Sequence, residues 1–332
     1  MLTRVIWNRT DAAERARLFE RPALGSDAFD VARGILEDVA RRGDAAVRSY
    51  AERLDQWAPQ DGFRVPQAEL DAAEGALAQE DRDAILAAAH AVRTFHAEQG
   101  YRDYTVQTWP GATARRRATP IDVAGLYVPA GTAPLVSTLI MLAVPAQIAG
   151  VPRIAVIAPP RKGKGVEPTV LAAAKLLGLN EVYAIGGAHG VAALGYGVAG
   201  LPKADKIFGP GNAYVAAAKA ILSQTPGGAA ADLPAGPSEV MVVADDAADA
   251  DLVALDLLSQ AEHDTLAQVI LVARSDGFVD AVEAALDRWL SKLPRAGTAR
   301  AALSNSRAVI CEDEAEMVEA ADAYASEHLI VQ

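Results

Sequence analysis

The chain has 332 residues, 51% of them hydrophobic and 22% charged, which is the balance of a folded globular protein and excludes a disordered one. The formal net charge of -12 argues against nucleic acid as a partner, because proteins that bind phosphates normally present a basic face. The single cysteine, Cys311, excludes an internal disulfide and favours a reducing compartment.

The N-terminal part of the sequence predicts an arm followed by helices. Residues 1–23 carry few apolar positions, and we expect them to pack as an arm on another surface, such as a second subunit. They lack the apolar core of a signal peptide, and polar residues interrupt the most apolar segment, 133–150, so we expect a cytoplasmic protein without a membrane span. Apolar residues at helical spacing predict helices over 28–42 and 82–99, and alternation predicts a half-buried strand over 104–109.

From residue 121 onward, short apolar strands alternate with helical segments across short loops. This alternation is typical of parallel sheets flanked by helices. Because the pattern recurs in both halves, we predict an α/β fold with two related open, mostly parallel sheets of an incomplete Rossmann-like kind. The strands are predicted over residues 121–128, 153–158, 181–185, 206–208, 240–244, 268–273, 307–311 and 329–332, the last of them buried.

Two predicted strand-to-helix turns are rich in glycine. Gly209-Pro-Gly211-Asn212 lies where backbone N–H groups at a helix start can receive a phosphate. Tyr214 replaces the third glycine of the dinucleotide fingerprint, so an ordinary tight turn is the alternative. In Gly186-Gly187-Ala188-His189, the histidine can donate a hydrogen bond to a ligand or can simply follow a tight turn on the surface.

Two polar groups in the second half of the chain are candidates for chemistry. Gln260 and His263 are three residues apart on a predicted helix, so both can face one metal ion or polar substrate, although they also fit an amphipathic surface. Glu327 and His328 offer a carboxylate and an imidazole, the groups that acid–base catalysis requires, although a Glu-His dipeptide also has ordinary structural uses. A Pro/Gly turn delivers Ser238 to the start of a predicted strand.

Over essentially its whole length, the sequence resembles the histidinol dehydrogenase family. The resemblance implies a zinc-dependent homodimer that oxidises L-histidinol through L-histidinaldehyde to L-histidine in successive NAD-dependent steps, which end histidine biosynthesis. The motifs that carry it, in order, are Tyr127-Val-Pro-Ala-Gly131, Lys206-Ile-Phe-Gly-Pro-Gly-Asn212, Asp232-Leu-Pro-Ala-Gly-Pro-Ser-Glu239, Leu257-Leu-Ser-Gln-Ala-Glu-His263 and Ser326-Glu-His-Leu329.

The resemblance implies roles for the polar residues of the second half. By this resemblance Gln260 and His263 are zinc ligands that also contact the substrate, and Ser238 is a substrate contact. Glu327 and His328 match the catalytic pair. The family continues beyond the Glu-His motif with an Asp and a His that complete the zinc site, so we expect this chain to be shortened, to bind zinc poorly and to turn over little or no histidinol.

The resemblance also implies an NAD site and a division of the chain. Tyr127, His189 and Asn212 occupy positions of NAD contacts, with His189 in place of a glutamine that is usual in the family. We expect residues 127–236 to form the NAD-side domain and residues 24–126 with 237–332 to form the zinc-side domain, with the arm at a dimer contact. The alternatives are a related dehydrogenase for another polar alcohol, such as a sulfopropanediol, and a non-catalytic nucleotide-binding homologue.

Overall fold

The computed structural model describes residues 2–21, 27–129, 135–232 and 238–332. Parts of two predicted turns, at residues 130–131 and 233–237, lie outside these ranges. The chain divides into two compact units, which we call the terminal unit (Met1–Leu24 with Gly236–Gln332) and the central unit (Gly25–Ala235). In the ranges described, no helix combines the length and the apolar character that crossing a bilayer requires.

The elements follow one another in the chain as three groups. The terminal unit starts with β1 (Thr3–Ile6), a 3-10 helix (Trp7–Arg9) and α1 (Ala12–Leu18). The central unit contains α2 (Asp27–Arg42), α3 (Asp44–Tyr50), a π-helical turn (Ala51–Asp55), α4 (Gln67–Gly75), α5 (Gln79–Ala97), β2 (Tyr104–Trp109), β3 (Ala112–Arg116), β4 (Val123–Tyr127), α6 (Val136–Ile148), β5 (Arg153–Ala158), α7 (Pro168–Leu176), β6 (Val182–Ala184), α8 (Gly187–Tyr196), β7 (Lys206–Phe208), α9 (Ala213–Gln224) and β8 (Ala230–Ala231). The terminal unit is completed by β9 (Glu239–Val243), α10 (Ala250–Ala261), β10 (Gln268–Ala273), α11 (Asp276–Leu290), α12 (Ala296–Ser304), β11 (Arg307–Ile310), α13 (Glu314–Tyr324) and β12 (His328–Val331).

The central sheet has the strand order β6-β5-β4-β7-β8, and every pair is parallel. Successive residues of a strand face opposite sides, so Leu126 and Val156 join one apolar core while Tyr127 and Ile157 join the other. Burial on both faces explains why these strands are apolar throughout. The chain first builds the sheet outward from β4 to β6 and then returns to the other side of β4 with β7, so the strand order reverses between β4 and β7.

The central unit also contains the helices that precede its sheet, which differs from the predicted division. The apolar face of α2, including Ile35 and Val39, packs in one core with Val191 of α8 and Val215 of α9. α5 packs against α6 in the same way on the other side of the sheet. An apolar face at helical spacing predicts that a helix is buried, but it does not identify the sheet that buries it.

β2 and β3 form an antiparallel hairpin in which every residue is exposed. The predicted strand is confirmed, but its predicted half-burial is wrong: Tyr104 is 52% exposed and Trp109 is 74% exposed. Alternation of apolar and polar side chains shows that a strand has two unlike faces, and it cannot show what covers the apolar one.

The terminal sheet has the order β1-β11-β10-β9-β12, and all its pairs are parallel. Its first strand differs from the expected N-terminal arm, because β1 pairs with β11 in register from Thr3 opposite Arg307. Leu2 and Trp7, at the two ends of this strand, are 6% and 1% exposed. Few apolar residues suffice here because the strand joins a sheet whose core is supplied by the rest of the unit.

The last strand, β12, lies at the other edge of the terminal sheet, next to β9. The prediction that this strand is buried is wrong, since Leu329 is 55% exposed and Val331 is 73% exposed. The chain passes from β9 through β10 to β11, and α13 then returns it to the opposite side of β9. The strand order of the terminal sheet therefore reverses between β9 and β12.

Candidate active site

Three of the residues predicted to act on the substrate lie at the amino ends of two neighbouring strands. Ser238 immediately precedes β9, and Glu327 immediately precedes His328, the first residue of β12. The two strands are parallel, with His328 opposite Val240. These side chains therefore start from one edge of the sheet, at the point where the strand order reverses. In most open α/β sheets the ligand lies at the carboxyl edge instead.

α10 carries Gln260 toward the same edge, and His263 directly follows Glu262, the C-cap of this helix. It connects the parallel neighbours β9 and β10, so it runs back along the sheet and ends near the amino ends of these strands. Gln332 Nε2 donates to Asp256 Oδ2 at 2.6 Å, which fixes the level of the helix beside β12. Measured from this contact, His263 lies about 10 Å further along the helix axis. His328 lies about 13 Å back along the strand axis, toward the amino edge of the sheet. The backbone of His263 and that of His328 thus lie at about the same level of the sheet.

The Gln260 and His263 side chains are available for a ligand. Gln260 is 8% exposed, and its side-chain amide makes no hydrogen bond to any described residue. The His263 ring is exposed and likewise has no partner in the described ranges, while its backbone carbonyl accepts from Arg295 Nη2 at 3.0 Å. Both residues lie at the C-terminal end of α10, where the partial negative charge of the last carbonyl groups favours a cation.

These two residues supply only part of a zinc site. Zinc in proteins commonly takes about four ligands, and Gln260 and His263 offer an amide oxygen and an imidazole nitrogen. Residues 2–21, 27–129, 135–232 and 238–332 contain no group of three or more His, Cys, Asp or Glu that could hold a metal ion. The pair fits a metal as two of its donors, and it does not by itself enclose one.

Glu327 and His328 form an open acid–imidazole couple. Their side chains are 60% and 56% exposed, and Glu327 Oε1 lies 3.9 Å from His328 Nε2. This distance is too long for a direct hydrogen bond, so both groups can reach an external reactant. The arrangement offers a proton acceptor and a carboxylate side by side, which is what an alcohol oxidation needs at its hydroxyl group.

Glu239 lies beneath this couple, and analysis of the sequence did not identify its role. It is 7% exposed, and its Oε1 accepts from the Glu327 backbone N–H at 2.8 Å. Arg21 donates to both carboxylate oxygens, and the Tyr324 hydroxyl lies 3.0 Å from Oε2. Burial alone would raise the pKa of Glu239, but the hydrogen bonds from Arg21, Glu327 N and Tyr324 outweigh burial and lower it, so the carboxyl group is ionised at neutral pH.

The carboxyl edge of the central sheet carries the residues predicted to bind NAD. Tyr127 ends β4, and the turn with Gly209 and Asn212 follows β7, the two strands between which the strand order reverses. In open α/β sheets nucleotides bind at this place. Gly209 has φ of +120°, and a Cβ added to it would lie 2.2 Å from Tyr127 O. Glycine therefore allows the ends of the two strands to approach each other.

Asn212 begins α9 as its N-cap. Its Oδ1 accepts from the backbone N–H groups of Tyr214 and Val215, both at 3.1 Å. Its side-chain NH2 group has no partner among the residues described, and the residue is exposed. A ligand at this helix start would therefore meet a donor group on Asn212, beside the positive end of the helix dipole.

Tyr127 and His189 are buried beneath the turn that opens α8. The Tyr127 hydroxyl accepts from Gly187 N at 3.2 Å, and burial raises the pKa of Tyr127 to about 12. His189 is 1% exposed, and its Nε2 lies 3.0 Å from Asp55 Oδ2. Asp55 Oδ2 also accepts from Gly186 N at 3.3 Å. The His189 Nδ1 atom is buried and has no hydrogen-bond partner within the described chain.

A buried ion pair, not identified from the sequence, holds the turn after β7. Lys219 is 3% exposed, and its Nζ donates to Gly209 O at 2.7 Å and to the carboxylate of Asp232. Asp232 Oδ2 accepts in turn from Gly209 N at 2.7 Å. Both backbone groups of Gly209 are thus fixed by one lysine and one aspartate, and the neighbouring Asn212 is held with them.

Comparisons with known proteins identify the family of the chain. A family model described as histidinol dehydrogenase matches residues 21–332. Histidinol dehydrogenase of Xanthomonas euvesicatoria pv. vesicatoria is 43% identical over 327 residues, which are 98% of this chain and 75% of that protein. Histidinol dehydrogenase of Salmonella typhimurium is 43% identical over 332 residues, 99% of this chain and 75% of that protein.

A solved structure agrees with the same assignment. The crystal structure of histidinol dehydrogenase from Elizabethkingia anophelis matches with a TM-score of 0.93 and 37% identity, over 99% of this chain and 75% of that chain. The expected resemblance and the expected α/β fold with two parallel sheets are therefore confirmed. The chain belongs to the histidinol dehydrogenase family of oxidoreductases that act on CH–OH groups.

Proposed function

We propose that this chain carries the reactive groups for the oxidation of L-histidinol through L-histidinaldehyde to L-histidine, with NAD as oxidant and zinc as metal. The observation that carries the proposal is the position of two features at the amino edge of the terminal sheet. One is the Glu327–His328 couple, and the other is the unpartnered pair Gln260 and His263. An amino alcohol bound there has a metal-binding pair beside it and a proton acceptor within reach.

His328 takes the part of the base in this proposal. Its exposed imidazole accepts the hydroxyl proton of the alcohol, which is the role of a general base. NAD, when bound, would accept the hydride that leaves the same carbon. Glu327 then helps a water molecule to lose a proton as it attacks the aldehyde. His328 releases its first proton to solvent and accepts a hydroxyl proton of the hydrate in the second oxidation, for which a second NAD would be the hydride acceptor.

Gln260 and His263 hold and orient the substrate end of the site. The Gln260 amide oxygen and the His263 ring nitrogen are the donors that would face the zinc ion. Zinc, when bound, supplies a Lewis-acid anchor for the amino alcohol. Ser238, which precedes β9 at the same edge, contacts the substrate. Because the described residues provide only two ligands, we expect weak zinc binding by the chain as given.

The carboxyl edge of the central sheet binds NAD in this proposal. The backbone N–H groups of Gly211 and Asn212 and the free NH2 group of Asn212 act as donors to the cofactor. Tyr127 and His189 lie buried beneath the turn that opens α8, and their hydrogen bonds help to hold this turn in place.

The hairpin of β2 and β3 supports a homodimer. Two-stranded hairpins are marginally stable when isolated in water, and this one exposes Tyr104 and Trp109. A second copy of the chain would cover these side chains. Sedimentation velocity would test this part of the proposal: a monomer at all concentrations would contradict it.

Oxidation of histidinol is tested by NADH fluorescence with excess zinc. We expect slow NADH formation, and we expect Glu327→Gln and His328→Asn to lower it by about 100-fold or more. His90→Asn is the matched control, because His90 is exposed on α5 in the central unit. Equal rates for wild type and His328→Asn would favour a non-catalytic homologue. Faster oxidation of another polar alcohol would favour the related dehydrogenase.

The two binding sites are tested separately from turnover. Calorimetry with zinc should show weak binding that His263→Ala abolishes, and tight stoichiometric zinc would contradict the two-donor site. For NAD, Asn212→Asp keeps the oxygen that caps α9 but removes the NH2 group. We expect this variant to bind NAD more weakly with an unchanged unfolding midpoint, and equal NAD affinity would contradict the donor role.

A further inference from the structure

The geometry points to Glu239 as the positioning residue of the Glu327–His328 couple, an inference that rests on the proposed function. Glu239 begins β9, and Glu327 precedes the neighbouring strand β12. The hydrogen bond from Glu327 N to Glu239 Oε1, at 2.8 Å, joins the two strands at the edge where the couple lies. Glu239 itself does not touch the substrate in this account, because it is buried below the exposed couple.

Arg21 fixes the orientation of the Glu239 carboxylate. Arg21 Nε donates to Oε2 at 2.7 Å and Nη2 donates to Oε1 at 3.1 Å, which is the paired geometry of a guanidinium on a carboxylate. The Tyr324 hydroxyl lies 3.0 Å from Oε2, and the guanidinium carbon of Arg21 lies 4.6 Å from the centre of the Tyr324 ring. The carboxylate therefore has one orientation, in which Oε1 faces the Glu327 N–H.

The same arginine also fixes the backbone that leads into the couple. Arg21 Nη2 donates to Tyr324 O at 2.8 Å and to Ala325 O at 3.3 Å, the carbonyl groups at the end of α13. Ala325 has φ of +49°, a left-handed conformation that ends the helix and turns the chain toward β12. The backbone from Tyr324 to Glu327 is thus hydrogen-bonded to Arg21 at its start and to Glu239 at its end.

The negative charge of Glu239 is required for this hold. Its two oxygens accept from three N–H groups, two of Arg21 and one of Glu327, and the Tyr324 hydroxyl lies 3.0 Å from Oε2 and 2.8 Å from Gln268 Oε1. A glutamine has the same shape but only one acceptor atom, and its NH2 group would face donors. In either orientation the NH2 group meets an N–H of Arg21, so Glu239→Gln weakens the hold on the Glu327 backbone while keeping the volume of the side chain. Small displacements of catalytic groups cost about 100-fold in rate.

The experiment uses the full chain labelled with 15N-glutamate. The Glu327 amide resonance is assigned by its disappearance in Glu327→Gln, and we expect it downfield because its N–H donates to a carboxylate. In Glu239→Gln it should move upfield and broaden. Glu319→Gln is the matched control, since Glu319 also joins α13 to an N-terminal arginine, Arg15, at 2.7 Å. We expect this control to leave the resonance and the rate unchanged.

Turnover gives the second measurement. Glu239→Gln should lower kcat by about 10- to 100-fold with little change in KM for histidinol, as is typical when an outer partner of a reactive group is lost. Arg21→Lys, at a side chain that is 46% exposed, keeps the charge but loses the paired contact and should show a smaller loss of the same kind. If Glu239→Gln does not fold, the kcat of Arg21→Lys tests the positioning role of Glu239 instead.

The inference and the proposed function can fail separately. If the wild-type chain oxidises no histidinol, the proposed function fails, and the Glu327 amide still decides whether Glu239 holds this backbone. If the wild-type chain is active, wild-type kcat in Glu239→Gln, or in Arg21→Lys where the first does not fold, overturns the inference. An unmoved Glu327 resonance in the variant overturns it as well.

Discussion

Replacing Gly209 by alanine tests how closely the ends of β4 and β7 approach. A Cβ added to Gly209 would lie 2.2 Å from Tyr127 O and 3.1 Å from Leu142 Cδ1. The carbonyl oxygen of Tyr127 belongs to the backbone of the central strand, so rotation of a side chain cannot relieve the overlap. The φ of +120° at Gly209 adds strain for any residue with a side chain.

The expected loss of stability has two parts. The strained φ costs about 1–2 kcal/mol for alanine, and displacement of the packed backbone costs about 1–3 kcal/mol more. We therefore expect Gly209→Ala to lower the free energy of unfolding by about 4 kcal/mol. Gly200 provides a matched control in the same unit, because its φ is +79° and nothing described lies within 4 Å of its added Cβ. Gly200→Ala should cost only the strain, about 1–2 kcal/mol.

The assay is urea unfolding followed by circular dichroism. With a slope of about 2.5 kcal/mol per molar urea, the midpoint should fall by about 1.5 M for Gly209→Ala and by about 0.5 M for Gly200→Ala. Equal midpoints for the two variants would refute the reasoning, because the end of β4 would then move aside without cost.

Other predictions concern the terminal unit. Burial alone would raise the pKa of Glu283, but hydrogen bonds, among them those from Arg4 and the Leu2 N–H, lower it to about 2. A carboxyl group with a lowered pKa stabilises the fold above its unfolded value, and this contribution is lost as the pH falls. Glu283→Gln should therefore cost about 1–2 kcal/mol at pH 7, and its difference from wild type should vanish near pH 2 in acid titrations of stability; a constant difference would contradict this. Burial raises the pKa of Cys311 to about 12. A thiol reagent added in urea should therefore modify Cys311 at the rate at which the chain unfolds. Rapid modification of the native protein would show that Cys311 is accessible.

The strands were the most predictable part of the fold. Arg153–Ala158, Lys206–Phe208 and Gln268–Ala273 have the predicted limits, because each is a run of mostly apolar residues in an interior strand, and a proline, glycine or arginine follows each of them. The edge strands were less predictable. β1 contains two polar residues, Thr3 and Arg4, and only its pairing with β11 makes it part of a sheet.

The candidate site was predictable where its residues lie in one motif. Gln260 with His263 and Glu327 with His328 are close in sequence, so spacing and the family resemblance both identified them. Their supports are distant in sequence: Arg21 lies 218 residues from Glu239, and Asp55 lies 134 residues from His189. Each support hydrogen-bonds a residue on a separate element, and only the folded topology brings such partners together.

Similar separations in sequence explain why the observed division of the chain into units differs from the predicted one. α2 reads as an amphipathic helix from its sequence alone, and its partners α8 and α9 lie more than a hundred residues further on. Nothing in the pattern of α2 distinguishes these partners from the helices of the terminal unit, because every such helix offers an apolar face to a parallel sheet.

The pairing of β1 with β11 has a consequence for synthesis on the ribosome. The central unit is continuous, Gly25–Ala235, so it can fold as soon as it has emerged, whereas β1 must wait for Arg307–Ile310. At about 5–20 residues per second, that delay is about 15–60 s. Throughout this interval the nascent chain presents an unpaired strand edge, which is the kind of surface that invites pairing with other chains. Translation speed between β1 and β11 therefore governs how long the growing polypeptide is open to aggregation.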